Sequence, residues 1–101
     1  MNLPRRLVTA VGAGLRRRRS GPQIPRAARL FRRAECGLCD EALALLRPEI
    51  RSGRLVLEEV DIESDPALLR RYFLSIPVLA IEDGPTLSWP FDRHDLRRAL
   101  A

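Results

Sequence analysis

Glu35-Cys36-Gly37-Leu38-Cys39-Asp40-Glu41-Ala42 is the stretch on which the reading of the whole chain turns, because two different patterns meet in it. Before it, Ala28 to Arg33 alternates weakly around Leu30 and Phe31 and reads as a strand. After it, Leu38, Ala42, Leu45 and Leu46 recur with helical spacing. They predict a helix over about Asp40 to Leu46 that stops before Pro48. The two cysteines therefore fall on a strand-to-helix turn, and two intervening residues let both sulfurs meet within one helical turn. Cys36 sits at the helix N-terminus, where free N–H groups and the helix dipole favour a thiolate. Cys39 lies one turn in and can attack a mixed disulfide formed by Cys36. Arg32 and Arg33 favour the anion at Cys36, and Glu35, Asp40 and Glu41 oppose it.

Downstream the pattern stays regular. Leu55 to Asp61 is a second strand, with Leu55, Leu57, Val60 and Ile62 facing inward. Asp65 is an N-cap and Pro66 suits the first position of a helix running to about Phe73. Pro77 to Ile81 is a third strand, with Pro where a missing N–H is tolerated. Glu82-Asp83-Gly84-Pro85 is a turn, Thr86 to Trp89 a short fourth strand, and Arg93 to Ala99 a final helix capped by Asp92. The order is β-α-β-α-β-β-α. Helical crossovers between the first three strands make them parallel, and the final hairpin adds an antiparallel edge. The expected fold is α/β, a mixed four-stranded sheet flanked by three helices on its two faces.

The 101 residues suit one domain with a modest aliphatic core, since hydrophobic residues make up 46% and aromatics only 5%. The net charge of +5 hides an asymmetry. Residues 1–34 carry ten Arg and no acid, whereas residues 35–101 carry eight Arg and thirteen acids. A basic arm, residues 1–26, thus precedes a domain over residues 27–101, with Ser20, Gly21, Pro22 and Pro25 as linker. The arm is expected to be disordered; Leu3, Leu7, Val11 and Leu15 give it at most a transient helix, weakened by Gly12 and Gly14. Such a run can touch an anionic surface or nucleic acid through charge alone. Its uncharged stretch, Leu7 to Leu15, is too short to span a bilayer. Arg16 to Arg19 follow it without a clean signal-peptide cleavage site. Two close cysteines exclude a disulfide-rich secreted scaffold. The expected location is cytoplasmic.

A second constellation, Ser75-Ile76-Pro77-Val78, begins the third strand about forty residues after the first. Together, Cys36-Gly37-Leu38-Cys39-Asp40-Glu41-Ala42, Leu57-Glu58-Glu59-Val60-Asp61-Ile62 and Ile76-Pro77-Val78-Leu79 resemble glutaredoxin, and most of all the small bacterial glutaredoxin-like domains with C-x-L-C. The match runs from about Ala28 to Ala101. The resemblance implies a thioredoxin-like fold in which Pro77 is cis and faces the dithiol. It also implies that the Ile76 backbone pairs with the peptide-like part of a bound thiol substrate. Gly37 and Leu38 stand where classical glutaredoxins have Pro-Tyr. Trp89-Pro90-Phe91-Asp92 stands where they have Gly-Gly-x-Asp, so that only Asp92 matches a glutathione-holding residue.

The expected function is thiol–disulfide exchange on protein or low-molecular-weight disulfides, with Cys36 as nucleophile and Cys39 as resolving thiol. Gly37, Leu38, Ile76, Pro77 and Asp92 are the expected substrate contacts. No resident cofactor or metal is expected, glutathione is the candidate co-substrate, and the protein should act as a monomer. Two other readings stay open: a non-catalytic thioredoxin-fold binding module, and a dimer holding zinc or an iron–sulfur cluster through Cys36 and Cys39. His94, the one histidine, reads as a solvated helix residue, and Trp89 and Phe91 as packing.

Overall fold

Leu30 and Leu79 are both fully buried and lie opposite each other in adjacent strands. The computed structural model that shows this describes residues 24–101, so the expectation of a disordered arm falls largely on residues 1–23, outside the described residues. The sheet contains β1 (Arg26–Arg32), β2 (Leu55–Asp61), β3 (Val78–Ile81) and β4 (Thr86–Ser88), in the order β2-β1-β3-β4. Between and after them come α1 (Gly37–Arg51), a 3-10 turn at Ile62–Ser64, α2 (Pro66–Tyr72) and α3 (Arg93–Leu100). This is the thioredoxin-like arrangement, a four-stranded mixed sheet with three helices.

Alternation along the strands decides which helix goes where. Ala28, Leu30, Leu79 and Ile81 share one face, where they pack with Leu55, with Ala42 and Leu46 of α1 and with Leu96 and Ala99 of α3. Phe31 and Val78 point the other way and meet Ile62, Leu68 and Tyr72. On that side Phe31 stacks on Tyr72 with ring centroids 4.4 Å apart. Helices therefore cover both faces.

The strand directions correct one expectation. β1 and β2 are parallel, but β3 runs antiparallel to β1 as well as to β4. The chain leaves β2 at the end where Asp61 pairs with Arg32, and enters β3 at the same end, where Val78 pairs with Phe31. A seven-residue helix such as α2 spans only about 10 Å, whereas a seven-residue strand such as β2 spans about 23 Å. The helix is too short to carry the chain back along the sheet, so β3 starts where β2 stopped.

Three boundaries also differ, the first being the start of α1, at Gly37 rather than about Asp40. β1 begins at Arg26, two residues before the alternation indicates, because the Arg26 N–H donates to the Arg54 carbonyl at 2.9 Å. The Arg26 guanidinium also donates to the carbonyls of Glu82 and Ala101, at 3.3 and 3.2 Å. α1 does not stop before Pro48; it runs through it to Arg51. Proline forfeits one helical hydrogen bond. Buried Leu46 and Glu49 hold the chain helical on either side, with Ile50 packed against the core. Arg54 reaches back to the Glu49 carboxylate at 2.7 Å. The stop comes instead at Gly53, whose φ of 82° lies in the left-handed region. Gly53→Ala should therefore cost about 1 kcal/mol through backbone strain alone, since a Cβ there meets no atom within 4 Å. Urea denaturation measures it, and a neutral substitution would contradict the left-handed stop.

Candidate functional site

Because β1 and β2 end, β3 begins and β4 ends at one edge of the sheet, residues far apart in sequence gather there. Cys36 is the N-cap of α1, with extended φ and ψ of −116° and 110°. Its Sγ accepts a hydrogen bond from the Cys39 N–H at 3.3 Å, and its carbonyl accepts one from the Asp40 N–H at 3.0 Å. Cys36 is half-buried and Cys39 completely buried, and both are free thiols. Immediately before them, Glu35 has a φ of 56°. A non-glycine residue in that region costs roughly 1–2 kcal/mol, so the turn presenting Cys36 is strained.

Burial pushes the Cys39 thiol up to about 11, and its hydrogen bond and charge interaction with Cys36 push the same way. The Arg33 backbone amide and the Arg32 charge act against this rise. The folded state thus prefers protonated Cys39. Below the ordinary thiol value of 9.0 both states hold the proton, and the preference contributes fully. Above it the unfolded chain ionises first, so this part of the stability is lost as pH climbs through about 11. Urea midpoints of the reduced protein should fall more steeply from pH 8 to pH 10.5 than those of Cys39→Ser. Equal slopes would show that Cys39 is not the group responsible.

Arg32 is the residue the sequence reading undervalued. Its side chain is only 14% exposed and is held between Asp40 at 3.0 Å and Glu59 at 3.4 Å. Burial works to lower its affinity for protons, but the hydrogen bond and charge of Asp40, then the charges of Cys39 and Glu59, raise it overall. Arg32 thus belongs to the surroundings of Cys39. Arg33 instead pairs with Glu63 at 3.0 Å. The signal was present in β1: alternation from Ala28 and Leu30 carries Arg32 to the face that α1 covers.

The remaining expected site residues are placed as follows. Gly37 is the first residue of α1, and a Cβ there would meet nothing within 4 Å. Leu38 follows it and is 49% exposed. The Ile76–Pro77 peptide bond is cis, as is Trp89–Pro90. The Pro77 side chain is fully buried. The Trp89 N–H donates to the Pro77 carbonyl at 3.2 Å, which ties the end of β4 to the start of β3. Trp89 meets Phe91 edge to face. Asp92 caps α3: its Oδ1 accepts from the Asp95 N–H at 2.8 Å, and its own N–H donates to Asp95 Oδ2 at 3.0 Å. The Asp95 amide foremost holds the Asp92 carboxyl below its usual range. The topology thus brings Cys36, Gly37, Leu38, Ile76, Pro77 and Asp92 to one edge. His94 is exposed in the first turn of α3. Among the described residues no three His, Cys, Asp or Glu side chains cluster as a metal site, and no helix is long and apolar enough to cross a membrane.

The fold has counterparts among solved structures. The chain is similar to the target protein XcR50 from X. campestris in its X-ray structure, with 39% identity and a TM-score of 0.61, over 70% of this chain and 91% of that one. The solution structure of the same protein gives 40% identity and a TM-score of 0.60, over 71% and 88%. No curated protein matches the chain significantly. Residues 28–101, which run from the second turn of alternation in β1 to the end of α3 and include the whole dithiol edge, match the family model described as a glutaredoxin-like domain (DUF836). With three-quarters of its length in that match, the chain belongs to the glutaredoxin-like family.

Proposed function

We propose that this chain is a thiol–disulfide oxidoreductase acting through Cys36 and Cys39. The observation that carries the reading is the inequality of the two thiols: Cys36 is half-buried at a helix N-terminus, and Cys39 is fully buried one turn in. Only Cys36 is accessible to an outside disulfide. Its thiolate attacks one sulfur of the substrate and displaces the other as a thiolate, leaving a mixed disulfide. Cys39 then gives up its proton to solvent and attacks the Cys36 sulfur, forming the Cys36–Cys39 disulfide and releasing the second substrate thiolate. Two electrons pass from the dithiol to the substrate disulfide. A thiol reductant reverses the change on the protein, and glutathione is the candidate.

In this mechanism Gly37, Leu38, Ile76, Pro77 and Asp92 are the proposed substrate contacts, with the fully buried Pro77 side chain acting through its place behind the edge. Asp92 is already engaged as a helix cap, so its part in holding a ligand is secondary. The reaction suits the reducing cytoplasm and needs only one copy of the chain. The test is reduction of insulin and of a small mixed disulfide with excess thiol reductant. Turnover by the wild type, lost in Cys36→Ser, is the expected result; equal rates for the two proteins overturn the reading.

A further inference from the structure

Next to the dithiol edge lies a shallow cleft, lined by Arg33, Glu63, Leu69, Arg70 and Phe73. Arg33 follows the end of β1 three residues before Cys36, and Phe73 comes shortly before Ile76 and Pro77, so the cleft lies at the same end of the sheet as the dithiol. Leu69 and Phe73 are one helical turn apart at the end of α2 and form an apolar ridge. Phe73 is 51% exposed and the following Leu74 is 85% exposed. Large apolar side chains grouped at a surface mark contact sites more often than scattered ones do. The charges have a definite sign. Arg33 and Glu63 neutralise each other at 3.0 Å, whereas Arg70 has no ion-pair partner among the described residues. The cleft therefore offers an apolar wall beside one uncompensated cation.

We propose that this cleft docks a polypeptide segment of the substrate protein, one that carries an apolar side chain and a carboxylate beside its reactive cysteine. The inference rests on the redox reading above and specifies its substrate class. The segment lays its apolar side chain on Leu69 and Phe73 and its carboxylate against Arg70, while its disulfide reaches Cys36. Leu69, Arg70 and Phe73 lie outside the dithiol turn itself, so a chain with residues beyond the cysteine reaches them and a small disulfide does not. Charge complementarity at such a contact acts mainly on encounter and orientation, and weakens with salt.

The test uses three disulfides with the pre-reduced full chain and no added reductant: two short peptides, each linked to itself through its cysteine, and hydroxyethyl disulfide. One peptide carries Leu and Asp beside the cysteine, the other Leu and Lys. Each reaction converts the protein dithiol to its disulfide and one substrate disulfide to two thiols, so the released thiol measures it. The wild type should react about five-fold faster with the Asp peptide at low salt, a factor expected of one partly exposed charge pair. Arg70→Glu should reverse that order. Phe73→Ser should slow both peptides and leave hydroxyethyl disulfide unchanged. If the wild type reduces all three but does not distinguish the peptides, or Arg70→Glu leaves the order as it was, the docking site is overturned and the redox reading stands. If it reduces none of them, both fall. If the reduced wild type sediments as a dimer that Phe73→Ser dissociates, the ridge belongs to a second copy and the proposal is overturned.

Discussion

Cys39→Ser is expected to halt the reaction halfway, and Cys36→Ser to prevent it from starting. The asymmetry follows from burial. In Cys39→Ser the half-buried Cys36 can still attack an outside disulfide, but no internal thiol follows, so a stable one-to-one mixed disulfide should accumulate. Intact-protein mass spectrometry reads it as the added mass of one substrate half. In Cys36→Ser the remaining thiol is completely buried, and that burial, the largest cause of the rise at Cys39, still pushes it up. At neutral pH such a thiol stays almost entirely protonated, and an outside disulfide cannot reach it. Insulin reduction should therefore drop at least about a thousand-fold. A mixed disulfide trapped on Cys39, or equal trapping by both variants, would reverse the assignment of nucleophile and resolving thiol.

The same contrast between local and long-range information explains what the sequence revealed. β2 is found at Leu55–Asp61, the range its alternation predicts, and α2 and α3 start at the expected caps, Asp65 and Asp92. Those signals are local: a periodicity, or a carboxylate meeting backbone amides two or three residues on. The strand-to-helix turn at Cys36 was legible for the same reason. Helix length past Pro48 was not, because buried Leu46 and Glu49, with Glu49's partner Arg54, override a local breaker through tertiary contacts. The direction of β3 was not legible either, since it depends on how far α2 travels relative to β2.

At the site, the dithiol was visible as a spacing, but the surroundings of Cys39 were not. Arg32 reads as a surface charge unless the alternation of β1 is followed to its last residue, and its partners Asp40 and Glu59 come from other elements. The Arg70 and Phe73 cleft is a further case. Its residues come from three separate segments, and no single window of sequence shows that they share a surface.

Leu79→Ala should be the most damaging single change in the core. Leu79 is completely buried in β3, an interior strand of only four residues. It lies opposite Leu30 on one side and Leu87 on the other, within the cluster that joins the sheet to α1 and α3. Truncation removes three carbons and leaves a cavity that three elements must collapse to fill, at a cost of about 3 kcal/mol. A domain of this size has roughly 5–8 kcal/mol in all, and its melting temperature shifts by about 4–8 °C for each kcal/mol. The variant should thus melt roughly 12–24 °C lower. Val56→Ala provides the comparison: it removes two carbons from a residue 60% exposed on β2, and should change stability by about 0.5 kcal/mol or less. Similar losses for the two would contradict the placement of the core. The effect also reaches the site. β3 begins directly after Pro77 and pairs with the end of β1 that leads to Cys36, so loosening Leu79 frees both at once. Below its melting temperature Leu79→Ala should still form the mixed disulfide at Cys36, because that step needs only α1 and its N-terminus. Preference for the longer peptide substrates should decline first, since it depends on the α2 ridge and the start of β3 holding their positions relative to Cys36.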